Sequence, residues 1–312
     1  RAQEQIAAFA NAVAESGQQV RLLVRVIPLL ETEQAFALKG GTAINLFVRN
    51  MPRLSVDIDL TYLPVEDRAT SLAAIDAALK RLAAMIRDRI PDSRVAETVS
   101  KEGTVQKLVV AADDAQIKIE VTPVLRGAVF APVLRPVSPL VEDRYGYAEV
   151  QMVSQADLYA GKIMAALDRQ HPRDLFDIRD LLATEGIDDA LRQAFLVYLI
   201  SHGRPLAELL RPNPKDIERE FTEAFDGMTD APVALEDLLA ARDSLVLDIV
   251  DAMPEAHRAF LIGFKRGEPD WEAIGLAGVA DLPAVRWKQL NLDRLDAARR
   301  EALTDRLRAV WA

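Results

Sequence analysis

Cysteine is absent from the 312-residue chain, which excludes disulfides and thiolate metal sites and, with no export signal in view, favours a reducing cytoplasm. Histidine is scarce: His171, His202 and His257 stand too far apart along the chain for a zinc site. A resident metal is therefore expected to be a hard, oxygen-liganded ion such as Mg²⁺. No run of about 18 apolar residues occurs, so no membrane span is expected, and no basic-then-apolar leader is present. The chain begins at Arg1 rather than Met, so a short leader or tag is expected ahead of it. Positive charge is the scarcer sign: 38 Lys and Arg against 48 Asp and Glu leave a net charge of −10. That argues against a generally basic nucleic-acid binder, and DNA is not an expected partner. Arg49 and Arg53 flank the glycine turn and the paired aspartates, and Lys162, Arg169, Arg173 and Arg179 cluster later; any RNA would have to meet a local rim of Arg49, Arg53, Arg169 and Arg173.

Half of the chain is hydrophobic, so a sizeable core in one large or two ordinary domains is expected. Ile6, Ala7, Phe9, Ala10 and Val13 recur at helical spacing, and Val20 to Leu30 continues an apolar face. Phe36 to Lys39 reads as a short buried strand ending at Gly40-Gly41-Thr42, with a helix beginning near Thr42 and stopping before Pro52. Leu54 to Leu60 alternates strictly, which predicts a strand with Ser55, Asp57 and Asp59 on one face. Asp67 to Arg89 predicts an amphipathic helix with Leu72, Ile75, Leu79, Leu82 and Ile86 inward. Val105 to Ala111 and Gln116 to Thr122 predict a hairpin joined at Asp113-Asp114, and Glu120 lies on its polar face. Pro132 to Tyr147 reads as a connection. Ser154 and Asp157 form an expected capping box, and a further helix beginning near Pro172 directs Leu175, Ile178 and Leu182 inward. Beyond about residue 187 the pattern is almost wholly helical.

The Gly40-Gly41-Thr42 turn can bring backbone N–H groups against phosphate, and the following helix N-terminus adds a favourable dipole. Asp57 and Asp59, two apart on one strand face, can share divalent metal, and Glu120 on a neighbouring strand would complete the cage and help deprotonate an acceptor hydroxyl. Lys162 supplies a point charge for a triphosphate, and Asp177 can orient that lysine or touch the nucleotide. Each piece also has a plainer reading. Gly-Gly-Thr is commonly an ordinary turn and Asp-x-Asp a solvated strand face. Lys162 reads equally as a snorkelling surface lysine, and Arg173-Asp174 with Asp177 as helix-surface pairing. The order of strand, glycine turn, helix, paired aspartates and later acid is what favours nucleotidyl transfer.

Gly40-Gly41-Thr42-Ala43-Ile44-Asn45 and Arg53-Leu54-Ser55-Val56-Asp57-Ile58-Asp59-Leu60 resemble the AbiEii/AbiGii toxin family of nucleotidyltransferases. Asp157 to Lys162 and Arg173 to Asp177 are similar to its lysine and aspartate motifs, and Pro269-Asp270-Trp271 with Leu282 to Lys288 to its C-terminal signature. The resemblance implies an α+β fold: a polymerase-beta-like core of mixed sheet and flanking helices over 1–150, then a mostly helical domain over 151–312 contributing Lys162 and Asp177 to the site. It implies a Mg²⁺-dependent toxin of a phage-defence toxin–antitoxin system, moving a nucleoside monophosphate from an NTP to an acceptor, the 3′ end of tRNA in better-known relatives. The implied nucleotide contacts are Gly40, Gly41, Thr42, Arg53, Ser55 and Lys162. The implied metal ligands are Asp57, Asp59 and Glu120, the last resting on strand pattern more than on a motif. The partners are NTP, tRNA or another RNA, and an antitoxin encoded elsewhere. A small-molecule or protein acceptor, and a non-catalytic NTP-binding module, are the alternatives.

Overall fold

A computed structural model describes residues 2–276 and 278–312. They divide into two compact units, one running to Ser154 and regaining Ala224–Val233, the other comprising Gln155–Glu223 and Ala234–Ala312.

The first unit is built on helix α1 (Ala2–Val26), strand β1 (Phe36–Lys39), and a helical turn α2 (Gly40–Thr42) that widens into a π-helix over Ala43–Val48. Strand β2 (Ile58–Tyr62), helix α3 (Arg68–Arg89) and strands β3 (Arg94–Val99), β4 (Val105–Ala112) and β5 (Ala115–Val121) follow. Strand β6 (Val133–Pro136), helix α4 (Pro139–Tyr145) and strand β7 (Glu149–Met152) complete it. The strands form one mixed sheet in the order β3-β4-β5-β2-β1-β7-β6. Within it β2 runs parallel to β5 and β1 parallel to β7, while the remaining neighbours are antiparallel.

Alternation explains which side of the sheet is dry. Ile58, Leu60, Ile117, Ile119 and Val121 are buried, and the register places Ile58 beside Ile119 and Leu60 beside Val121. Helices α1 and α3 pack on β5 and β4. The Asp67 side chain accepts from the Thr70 N–H at 3.0 Å and starts α3, whose Leu72, Ile75, Leu79, Leu82 and Ile86 are all buried. Burying each of these aliphatic side chains contributes about 1.5–3 kcal/mol. Asp113 and Asp114 take φ of 50° and 62°, the left-handed pair that a tight two-residue hairpin turn requires.

Strands β2, β3, β6 and β7 depart from the sequence reading. The segment expected to be a strand from Leu54 pairs in the sheet only from Ile58 onward, so Ser55 and Asp57 lie in irregular chain ahead of β2. Tertiary pairing overrides the alternation there: Leu54 N–H donates to the Met228 carbonyl at 3.2 Å, Asp230 N–H to the Pro52 carbonyl at 2.9 Å, and Arg53 bridges Thr229. The Pro132 to Tyr147 connection contains β6 and α4, and β3 carries almost no buried side chain. Edge strands with little inward surface leave no apolar alternation to read.

The second unit contains helices α5 (Gln155–Arg169), α6 (Pro172–Thr184), α7 (Asp189–Ser201), α8 (Leu206–Leu210), α9 (Glu218–Ala224) and α10 (Leu235–Val246). After a π-helical extension over Leu247–Asp251 come α11 (Glu255–Arg266), α12 (Pro283–Asp293) and α13 (Ala297–Arg308). Its core is the packing of α5 on α7 and α6 on α10. In α6 the inward residue is Leu181 rather than Leu182, alongside Leu175 and Ile178. Among the described residues no helix is long and apolar enough to cross a membrane.

Candidate active site

Lys39, at the end of β1, is register-paired with Asp59 of β2, Asp59 with Glu120 of β5, and Glu120 with Lys107 of β4. Residues in register share a sheet face, so four ionisable side chains form one row across four strands, on the side opposite Ile58, Leu60 and Ile119. Two carboxylates directly beside one another repel, and each has a lysine on its far side. Lys107 Nζ lies 3.7 Å from Glu120 Oε2. Lys39 Nζ donates to Thr122 Oγ1 at 2.9 Å. Burial lowers the Lys39 pKa from its ordinary value while Asp59 and Glu120 raise it.

The glycine turn is fitted to this row. Gly40 adopts φ +78°, and a Cβ placed on it would lie 2.4 Å from Asp59 Oδ2. Only glycine gives both the left-handed backbone and room for the carboxylate. A Cβ on Gly41 would lie 2.8 Å from the Arg53 guanidinium and from Ser55 Oγ, so these two side chains rest against the turn. The Thr42 hydroxyl donates to the Asp57 carbonyl and lies 3.2 Å from Ser55 Oγ. It is 1% exposed and faces the Ser55–Asp57 segment rather than an outside phosphate. In the π-helix, Arg49 N–H reaches the Ile44 carbonyl at 2.7 Å, and the Asn45 side chain donates to the Gly41 carbonyl at 2.9 Å. A wide turn of this kind shifts side chains out of α-helical phase and is common beside functional sites.

Asp57 is exposed, Asp59 half-buried and Glu120 exposed. Among the described residues no three His, Cys, Asp or Glu side chains are gathered into a metal-binding group. Of the three expected ligands, Asp57 precedes β2, Asp59 lies on it, and Glu120, in register with Asp59, has its Oε2 3.7 Å from Lys107 Nζ. The donors still fit a hard divalent ion. Mg²⁺ is commonly held by one or two carboxylates with water and substrate phosphate filling the rest, and the Asp59 carboxylate stands directly against the Gly40 turn.

In the second unit Lys162 is buried, with Nζ 2.8 Å from Asp174 Oδ1 and 3.0 Å from Asp177 Oδ2. Asp174 also receives the exposed Arg169 guanidinium at 2.9 Å. The snorkelling and surface-pairing readings are therefore set aside: α5 and α6 enclose the lysine between two carboxylates. Asp174, 3% exposed, belongs to this cluster and is no surface partner. Asp157, expected as a capping residue, is 1% exposed. Burial, with the Asp157 carboxylate, pushes the Tyr198 hydroxyl well above its ordinary pKa.

A family model described as nucleotidyl transferase AbiEii toxin, type IV toxin–antitoxin system, matches residues 21–289. The chain belongs to the AbiEii family. Among solved structures, MenT4, a nucleotidyltransferase toxin from Mycobacterium tuberculosis H37Rv, matches with a TM-score of 0.59 at 16% identity, over 100% of this chain and 99% of that chain. At that identity the likeness is one of fold, and it agrees with the α+β architecture described above. A search of curated proteins found no match. This AbiEii protein is thus a nucleotidyltransferase toxin of the type IV toxin–antitoxin class.

The residues singled out in the sequence lie in two local neighbourhoods of the AbiEii chain. Gly40, Gly41, Thr42, Arg53, Ser55, Asp57 and Asp59 form one contiguous neighbourhood in the first unit, with Glu120 in register beside it. Lys162 and Asp177 form a second in the other unit. Arg53 is 3% exposed and donates to its neighbour Leu54's carbonyl at 3.0 Å, so it is not available to an RNA rim as expected. Sequence reading passed over Lys39 and the Ala224–Val233 segment. A lysine directly preceding two glycines was the available signal for the first, whereas the second had none.

Proposed function

We propose that this AbiEii toxin is a Mg²⁺-dependent enzyme that moves a nucleoside monophosphate from an NTP to a terminal hydroxyl of RNA, with the tRNA 3′ end as the acceptor. The observation that carries this reading is the fit between Gly40 and Asp59, in which the turn assigned to phosphate and the carboxylate assigned to metal are shaped by one another. In the proposed reaction the acceptor oxygen bonds to the α-phosphorus, the bond to the bridging oxygen breaks and pyrophosphate leaves. Asp57 and Asp59 would hold the ion, which supplies neutralisation of phosphate charge when bound. The backbone N–H groups at Gly40 and Gly41 would meet the phosphates, with Arg53 and Ser55 steadying the turn from behind. Glu120, exposed and in register beside Asp59, is assigned the acceptor's proton. Lys162, fixed by Asp174 and Asp177, keeps the triphosphate contact that the family resemblance implies for it. Phage defence and a cytoplasmic site of action complete the proposal.

The acidic net charge and the burial of Arg53 favour one second reading, in which the acceptor is a small molecule or a protein side chain. One experiment separates the two. The purified protein is incubated with each α-labelled NTP and total cellular RNA or protein extract, and the labelled species is identified. Label in the RNA fraction supports the lead reading, and label confined to protein or small molecules replaces it. Asp59→Asn, isosteric and so able to occupy the space beside Gly40, is expected to abolish labelling while keeping the wild-type circular dichroism spectrum. Undiminished transfer by that variant would dismiss the site.

A further inference from the structure

Outside the assigned residues, the row across the sheet holds two lysines for which the proposed reaction has no role. Lys39 sits in register with Asp59, half-buried, and its Nζ donates to Thr122 Oγ1 at 2.9 Å. Lys107 flanks the opposite end beside Glu120. The placement of Lys39 follows from topology: β1 runs antiparallel to β2, so the last residue before the glycine turn is carried directly alongside the second aspartate.

We propose that Lys39 is a positioning residue that acts as the internal counter-ion of the metal-binding carboxylates, so that the divalent ion binds well only together with the nucleotide. This rests on the reading of Asp57, Asp59 and Glu120 given above. Charge arithmetic gives the direction. Three carboxylates and two ammonium groups leave the row, with Asp57, one negative charge in excess, and a divalent ion alone turns it to one positive charge. A triphosphate then offsets that charge, and each unit of field at this range is a substantial interaction where the side chains are partly desolvated. Without Lys39 the same carboxylates attract a free ion more strongly and, once loaded, attract a polyanion less. Lys39 therefore weakens binding of the lone ion and strengthens binding of the nucleotide that arrives with it.

The test is a Mn²⁺ titration of the full chain followed by electron paramagnetic resonance, with and without a non-hydrolysable NTP analogue, on wild type, Lys39→Met and Lys39→Arg. Relative to wild type, Lys39→Met is expected to bind Mn²⁺ alone on the order of tenfold more tightly and the analogue, at saturating Mn²⁺, on the order of tenfold more weakly. Lys39→Arg keeps the charge and is expected to stay near wild type, which also guards against a Lys39→Met chain that fails to fold. Equal Mn²⁺ and nucleotide affinities in wild type and Lys39→Met overturn the role of Lys39 while leaving the site intact. Wild type that binds neither Mn²⁺ nor the analogue removes the reading of the site and this inference with it. Equal losses in Lys39→Met and Lys39→Arg show a packing role and overturn the inference too.

Discussion

Gly40 shows how much of this protein is decided by single atoms. An added methyl group would meet Asp59 Oδ2 at 2.4 Å in a backbone conformation that L-residues seldom adopt. Gly40→Ala should therefore cost about 1–3 kcal/mol in urea unfolding and displace the Asp59 carboxylate, lowering nucleotidyl transfer by at least about tenfold. Full activity in that variant would remove the argument that turn and carboxylate are matched. In the second unit, burial and the adjacent Lys288 push Lys265 on α11 down to about 8 from 10.5. Below about pH 8 both folded and unfolded chains hold the proton, and the folded state carries the full cost of the enclosed charge. Between about 8 and 10.5 the folded state loses its proton first, so stability gained from this group rises with pH. Lys265→Met should raise the melting temperature at pH 7 by roughly 1–3 °C, and the gain should shrink toward pH 10.5. A gain that grows with pH would contradict this account.

At the scale of elements, the pairing of α5 with α6 is distinctive because it encloses charge rather than hydrocarbon. Lys162, Asp174 and Asp177 are all buried, and only Arg169 reaches the surface. Removing one member of such a network leaves another without a partner, which is more costly than the network's net contribution. Asp174→Asn should destabilise the protein by about 1–3 kcal/mol in chemical unfolding while Asp177 still holds Lys162; an unchanged midpoint would make the cluster incidental. The β4–β5 hairpin is the opposite case, since its turn is suboptimal and distant from the row of charges only along the strands. Asp114 carries φ 62°, and Asp114→Gly should stabilise by roughly 0.5–1 kcal/mol with transfer activity unchanged. Loss of stability would mean the Asp114 side chain contributes more than its backbone strain costs.

For the whole molecule, a net charge of −10 and an RNA acceptor are reconciled only if the RNA is held at few points. Binding should then weaken with salt much less steeply than for a basic RNA-binding protein, because few counterions are released. A plot of log affinity against log salt measures this, and a slope equivalent to many phosphate contacts would require a basic surface that the composition does not suggest. Chelation with EDTA should stop label transfer but leave the melting temperature of the nucleotide-free protein unaltered, since the two units are packed through their own cores.

Sequence by itself determined the elements whose residues answer to local periodicity or to a motif. These include α3 with its aliphatic stripe, the hairpin turning at Asp113-Asp114, the polar face of β5 and the family to which the motifs belong. It could not determine the end of the strand reading at Leu54. There alternation is as strict as in β5, and backbone pairing with Met228 and Thr229, distant in the chain, takes the segment out of the sheet. Nor could it distinguish a surface lysine from an enclosed one at position 162, since both leave the same letter among alanines. Only the tertiary structure places Lys39, Asp59, Glu120 and Lys107 side by side, because register between strands is fixed by hydrogen bonds across the sheet and not by spacing along the chain.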